Sequence, residues 1–353
     1  MVGLVRTKLA ENSSASLSRW AKFQLVSYYS AIYGLQVHLN QSVPGLLLSE
    51  QPCEPADIQV HFGDLPSWFY DDGIKRELWY RNPEPGPGGR PRLTVWCLAG
   101  NYHLEYADGT QFWIDQEGTR IWVTWPSETL TLEDSATYLL GPVMGFVLLL
   151  RGFISLHACA VAIDDRAVAI VGPAGSGKST TAAAFAEKGY HIMAEDVVTL
   201  RDGDSEFLVQ PAYPSIRLWP SSVEALYGVD ATLPKLTPTW DKCYLDLTRE
   251  NYKFQSAPLP LAAIYLLAER TDDSAAPVVH DVAPAKRLMS MIANTYATYL
   301  MNRQMRAREF AVLQRIVSSV PIKQITPHSD PARIDQLCET ILKDFAATQA
   351  SHV

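Results

Sequence analysis

The octapeptide Gly172-Pro-Ala-Gly-Ser-Gly-Lys-Ser179 constrains this chain more than any other segment. It fits G-x-x-x-x-G-K-[S/T], a loop whose backbone N–H groups curl around phosphate oxygens. In that pattern the lysine, here Lys178, reaches the outer phosphates, and the serine hydroxyl, here Ser179, sits on a divalent cation. The flanks fit the loop as well. Ala167-Val-Ala-Ile-Val171 is a short apolar run of strand type that ends at Gly172. Ser179 to Lys188 is built from good helix formers and is stopped by Gly189. A purely structural glycine turn would need neither flank. The spacing therefore predicts strand, phosphate loop and helix, with Gly172, Ala174, Gly175, Ser176, Gly177, Lys178, Ser179 and Thr180 around a nucleotide.

The surroundings of the loop add candidate groups. Leu156 to Ile163 and Ala167 to Val171 flank the short turn Asp164-Asp165-Arg166, which predicts a β-hairpin feeding the loop instead of the usual parallel crossover. A second hairpin is expected from Val197–Arg201 and Glu206–Gln210 across Asp202-Gly203-Asp204. Between the loop and that hairpin, His191-Ile-Met-Ala194 ends at Glu195-Asp196. Adjacent carboxylates at a strand end are usually a solvated turn. Behind a phosphate loop, one can hold Mg²⁺ while the other orients or deprotonates an attacking hydroxyl. His157 lies on the strand before the loop and is a further candidate, although a lone histidine in an apolar strand is more often structural.

The chain's 353 residues suggest two domains or one with a large extension, and 47% hydrophobic with 19% charged residues describes an ordinary globular protein. A formal net charge of −8 argues against broad nucleic-acid or anionic-membrane binding. The first residues have no apolar core of signal-peptide length, and Tyr138–Leu150 falls short of the ~20 residues of a membrane span. Cys53, Cys97, Cys159, Cys243 and Cys338 are scattered without metal-ligand spacing, the pattern of reduced thiols in a cytoplasmic protein.

Residues 1–130 predict a β-rich, mostly antiparallel domain. Short alternating runs are separated by Ala99-Gly-Asn, Ala107-Asp-Gly and Gln116-Glu-Gly, and Asn82–Pro91 is a Pro/Gly loop. Its tryptophans (Trp20, Trp68, Trp79, Trp96, Trp113, Trp122 and Trp125) fill strand faces or form a ligand face, and packing is the commoner use. Residues 131–353 predict an α/β (α+β) nucleotide domain. Ser135–Leu150, Pro284–Gln304, Arg306–Ser319 and Pro331–Ala347 read as helices and Leu261–Ala268 as a buried strand; Tyr296 and Tyr299 read as packing.

Together, Leu156-His157-Ala-Cys-Ala-Val-Ala-Ile, the loop to Thr180, and Gly189-Tyr-His-Ile-Met-Ala-Glu195-Asp196 resemble the HPr kinase/phosphorylase family and its relatives, the ATP-dependent phosphoenolpyruvate carboxykinases. The resemblance covers Leu156 to Asp196 only. It implies an ATP- and Mg²⁺-using kinase that phosphorylates a serine hydroxyl of a small protein. Glu195 falls on the family's catalytic aspartate, while Ser179 and Asp196 fall on its metal-associated positions. Glu replaces Asp at the first acid. Where the family has Glu-Ile-Arg-Gly, this chain has Ser215-Ile-Arg217-Leu, which removes support for the reverse reaction but keeps Arg217 as a charge neutraliser. Lys242 is a second basic candidate. As a whole the chain resembles stand-alone HPr-kinase-like proteins associated with lasso-peptide and other peptide natural-product clusters. The resemblance thus implies a peptide or small-protein acceptor, with self-association as an expectation. A small-metabolite kinase of carboxykinase type and a non-catalytic nucleotide-binding regulator are the alternatives.

Overall fold

The computed structural model describes residues 27–51, 55–71, 73–203 and 205–350. Trp20, Cys53 and Asp204 lie outside the described residues, as do residues 1–26 as a whole. The first half builds an eight-stranded sheet from β1 (Tyr28–Ile32), β2 (Leu35–Leu39), β3 (Ile58–Phe62), β4 (Arg76–Arg81), β5 (Leu93–Leu98), β6 (Asn101–Tyr106), β7 (Gln111–Ile114) and β8 (Arg120–Thr124). Its order is β1-β2-β3-β8-β7-β6-β5-β4. The hairpin turns follow the sequence signals, with left-handed backbone at Ala99-Gly100, where glycine carries the turn at φ +90°.

The sheet is mostly antiparallel, with one exception in its middle: β3 runs parallel to both β2 and β8. The described residues joining β3 to β4 cause the second of these pairings. They carry the chain from β3 to the far edge, and the β4–β8 meander returns to set β8 beside β3 in the same direction. That crossover packs Trp68 edge-on to Trp122 and Phe69 edge-on to Trp113, with ring centroids 6.2 and 5.6 Å apart. Trp96 donates to Glu105 at 2.7 Å, and Trp79 donates to the Leu300 carbonyl at 2.9 Å. Each of these tryptophans is engaged in packing or hydrogen bonding within the chain.

A helical stretch follows: α1 (Leu132–Tyr138), a π-turn (Leu139–Val143) and α2 (Met144–Leu150). Pro142, which lacks an N–H, accounts for the wider turn. The stretch starts earlier than Ser135 because Thr131 and Asp134 close a capping box, the Thr131 N–H donating to Asp134 at 2.9 Å. By length and composition its 19 residues would cross a membrane, which the shorter apolar run did not reveal, yet 78% of the apolar window is buried inside the fold. It is a core helix lying between two sheets.

The second sheet contains β9 (Ile154–Ile163), β10 (Arg166–Val171), β11 (His191–Ala194), β12 (Val197–Asp202), β13 (Phe207–Gln210), β16 (Lys253–Phe254), β17 (Leu259–Leu267), β18 (Val278–Asp281) and β19 (Ile322–Thr326), while β14 (Ser215–Leu218) and β15 (Cys243–Asp246) form a separate pair. Both expected hairpins are present, β9–β10 and β12–β13. Along β9, Leu156, Ala158 and Ala160 face a core shared with the first sheet and α2. Cys159, Val161 and Ile163 face a second core under α3 (Lys178–Glu187) and α7 (Ile334–Ala350). Both faces are buried, so β9 reads as an unbroken apolar run. Between them, α4 spans Pro220–Tyr227, α5 Pro284–Ala293 and α6 Arg303–Ser319. The expected helix from 284 to 304 therefore stops eleven residues early, because Tyr296 pairs its backbone with Ser155 and Ala297 adopts φ +55°. The last helix starts at Ile334, after a single turn at Pro331–Arg333, and runs to Ala350.

Candidate functional site

Register along β9 explains how the local motifs converge. On one edge β10 ends with Val171 opposite Ala158, so the glycine loop leaves the sheet there. On the other edge β11 and β12 lie end to end, with Ala194 opposite Ala160 and Val197 opposite His157. Glu195 and Asp196 occupy the break between them. Two strand spacings, about 10 Å, thus separate the loop's entry from the acid pair, with His157 between. The break is a tight turn: Val197 N–H donates to the Glu195 carbonyl at 2.9 Å, and Asp196 sits at φ +70°. A non-glycine residue held there costs about 1–3 kcal/mol, an expense that tends to mark functional backbone.

In the loop itself, Gly175 and Gly177 take φ of +79° and +104°, which side-chain-bearing residues rarely adopt. Gly177 precedes α3, whose N-terminal amides point into the loop. Lys178, 6% exposed, donates to the carbonyls of Gly172 and Pro173 at 2.7 and 2.9 Å. Burial pulls its pKa below the usual lysine range. Thr180 turns away and shares a 2.9 Å hydrogen bond with Ser222. Beneath the loop, burial pushes the Cys159 thiol up to about 12 and keeps it protonated.

The two acids of the pair have different neighbours. Ser179 Oγ donates to Glu195 Oε1 at 2.6 Å, and Glu195 Oε2 is buried without a hydrogen-bond partner. Asp196 instead faces His157, Nε2 to Oδ1 at 3.4 Å, and accepts from the Tyr296 hydroxyl at 3.3 Å. Burial, then the neighbouring Asp196 charge, raises the Glu195 pKa. Burial works the same way on Asp196, but His157 and Arg217 outweigh it and hold that carboxyl below its usual range.

Arg217, on β14, is 7% exposed. Burial opposes its charge, but the Tyr213 oxygen and the carboxylates of Glu195 and Asp196 more than compensate. Its guanidinium lies over the Tyr213 ring, 5.7 Å from the centroid. Lys242 stands at the rim with its ammonium 5.0 Å over the exposed Trp219 ring. Its charge works against the rise in the Glu195 pKa and helps to lower that of Asp196.

Sequence reasoning passed over several residues here. Tyr296, read as packing, reaches Asp196, and Gly145 makes room for its ring: a Cβ at 145 would lie 2.4 Å from Cε1. Arg270, beyond β17, has Nη2 2.9 Å from where a Cβ on Gly177 would sit. The parallel β10–β17 pairing puts it there, because the segments after both strands emerge on the same edge. Only three-dimensional register reveals either residue.

A bound Mg²⁺ would find a fitting donor set. Such ions take one or two carboxylates together with phosphate oxygens and waters, and Ser179 beside the orphaned Glu195 oxygen offers that arrangement. Among the described residues no cluster of three or more His, Cys, Asp or Glu forms an all-protein metal cage.

No family model matches the chain, and none of the curated proteins does. Among solved structures it is similar to the Hpr(Ser) kinase/phosphatase from Coxiella burnetii, at 16% identity and a TM-score of 0.30, over 56% of this chain and 98% of that one. A likeness this loose decides nothing about chemistry.

Proposed function

We propose that this protein is an ATP- and Mg²⁺-dependent kinase that transfers the γ-phosphoryl group to a serine or threonine hydroxyl of a peptide or small protein. One observation carries the reading. A glycine loop between strand and helix lies across β9 from a strained acidic turn, with Ser179 on Glu195 and His157 on Asp196. Loop amides and Lys178 bind the triphosphate. Ser179 and Glu195 hold the cation, which when bound neutralises charge on the phosphate oxygens. Asp196, ionised and oriented by His157 and Tyr296, accepts a hydrogen bond from the acceptor hydroxyl and then its proton. Arg217 balances negative charge on the moving phosphoryl group, with Lys242 at the rim. The role of base thus passes from Glu195 to Asp196, following the hydrogen bonds.

A crevice beside Arg217 supports a peptide acceptor. It is lined by Pro44 and Gly45 of the first sheet's connections, Thr137 and Leu140 of the helical stretch, and Tyr213 and Tyr244. Its exposed wall is largely apolar and its volume is about 40 Å³, which suits one small apolar group beside an acceptor serine.

The test is incubation with γ-labelled ATP and serine-bearing peptides. Label in peptide serine is expected. It should be lost in Asp196→Asn while nucleotide binding persists, and Lys178→Ala should abolish binding as well. Label in a small hydroxylated metabolite would favour the carboxykinase-like alternative, and tight binding without any transfer would make the protein a regulator.

A further inference from the structure

The first sheet does more than adjoin the nucleotide site. Its β1–β2 turn, Tyr33-Gly34, drives into the second half of the chain. Tyr33 is fully buried in a left-handed conformation, φ +56°, and its N–H donates to the Pro211 carbonyl at 2.8 Å. Gly34 is pressed so closely on Gln210 that a Cβ would lie 2.3 Å from its Oε1. A large side chain forced into an uncommon conformation at such a contact needs a compensating gain.

What Tyr33 touches supplies that gain. Its ring meets the Tyr213 ring edge-on, with centroids 6.3 Å apart and planes at 83°. Its hydroxyl donates to the Leu140 carbonyl at 2.9 Å, inside the π-turn. Those two groups are the walls around Arg217. Tyr213 lies under the guanidinium, and Gly141, next to Leu140, has its Cβ position 3.5 Å from Arg217 Nη1 and 4.0 Å from Asp196 Oδ2. Long arginine side chains have many rotamers, and a wall on each side removes that freedom.

We infer that Tyr33 is a positioning residue for phosphoryl transfer: by clamping Tyr213 and the Leu140–Gly141 turn, it fixes the Arg217 guanidinium. The inference rests on the kinase reading of Arg217. It makes the first sheet an obligatory part of the catalytic unit. Seating or loosening of that sheet then sets the transfer rate without touching the nucleotide.

The experiment uses the full chain and hydrolysis of γ-labelled ATP without acceptor, with Mg·ADP affinity measured by calorimetry in parallel. Arg217→Ala should slow turnover about a hundredfold. Tyr33→Leu should slow it at least about tenfold, since small misplacements of a transition-state group are that costly. Tyr33→Phe, which keeps the ring contact and loses one hydrogen bond, should cost about fivefold and serves where Tyr33→Leu fails to fold. ADP affinity should stay within about twofold in all three, because they alter charge placement in the transition state and not ground-state nucleotide contacts. In the Arg217→Ala background neither Tyr33 variant should slow turnover further. Additive losses in the double variants, or a Tyr33→Phe turnover equal to wild type, would overturn the inference while leaving the kinase reading intact. Wild-type protein that binds ATP and releases or transfers no label, with or without serine-bearing peptides, would overturn both.

Discussion

Glu195→Gln should stabilise the nucleotide-free protein while weakening its hold on Mg·ATP. Glu195 is 5% exposed, carries one oxygen with no hydrogen-bond partner, and adjoins a second carboxylate. Glutamine keeps an oxygen for the Ser179 hydroxyl and turns an N–H toward Asp196, replacing repulsion with a donor. Removing one unsatisfied buried charge is worth about 1–2 kcal/mol. With a urea dependence of about 3 kcal/mol per molar, the unfolding midpoint should rise by roughly 0.5 M. The pH dependence gives the sharper test. Burial, then Asp196, raises the folded pKa of Glu195, so as pH climbs through the usual carboxylate range the unfolded chain ionises first and wild-type stability is lost. The variant's advantage should therefore vanish near pH 3, where the carboxyl is protonated in both states, and grow as pH rises toward neutrality. Urea titrations monitored by tryptophan fluorescence at the two pH values, with calorimetry against Mg·ATP at neutral pH, read both effects. Affinity should fall at least about tenfold, since a carboxylate at the cation is lost. A variant less stable than wild type at neutral pH, or equally stabilised in acid, would refute the reasoning.

Two further substitutions probe residues that the sequence did not single out. Gly145→Ala places a methyl 2.4 and 2.6 Å from two carbons of the Tyr296 ring. Overpacking of about 1–3 kcal/mol should exceed the ~1 kcal/mol that alanine gains in a helix, so the thermal unfolding midpoint should fall and transfer slow with it; a stabilised variant would show that the ring is not held there. Arg270→Ala should weaken Mg·ATP about tenfold and flatten the salt dependence of binding, because the guanidinium adds positive charge at the start of α3. Binding unchanged across a salt series would take Arg270 out of the site.

Much of the site was legible because its pieces are local. The β9–β10 hairpin, the loop and the acidic dipeptide lie within Leu156–Asp196 and follow from apolar runs, glycine positions and one helical stretch. The pairing of the acids was not legible. Ser179 selects Glu195, not Asp196, because the break in register between β11 and β12 sends adjacent side chains to different neighbours. Likewise the first sheet's strands are readable from alternation. The parallel placement of β3 beside β8 depends on the crossover above the sheet, which alternation does not encode.

By itself, then, the sequence determined that a glycine-rich loop stands between a strand and a helix, with two carboxylates and a histidine close by in the chain. Those features follow from backbone conformations that particular residues permit or forbid within a few positions. Tertiary structure alone decided that Tyr33, the Leu140–Gly141 turn, Arg217 and Tyr296 gather around Asp196. Their meeting depends on which strand edges pair and where a buried helix crosses. Those are properties of whole packed layers, held by two apolar cores that no short stretch of chain contains.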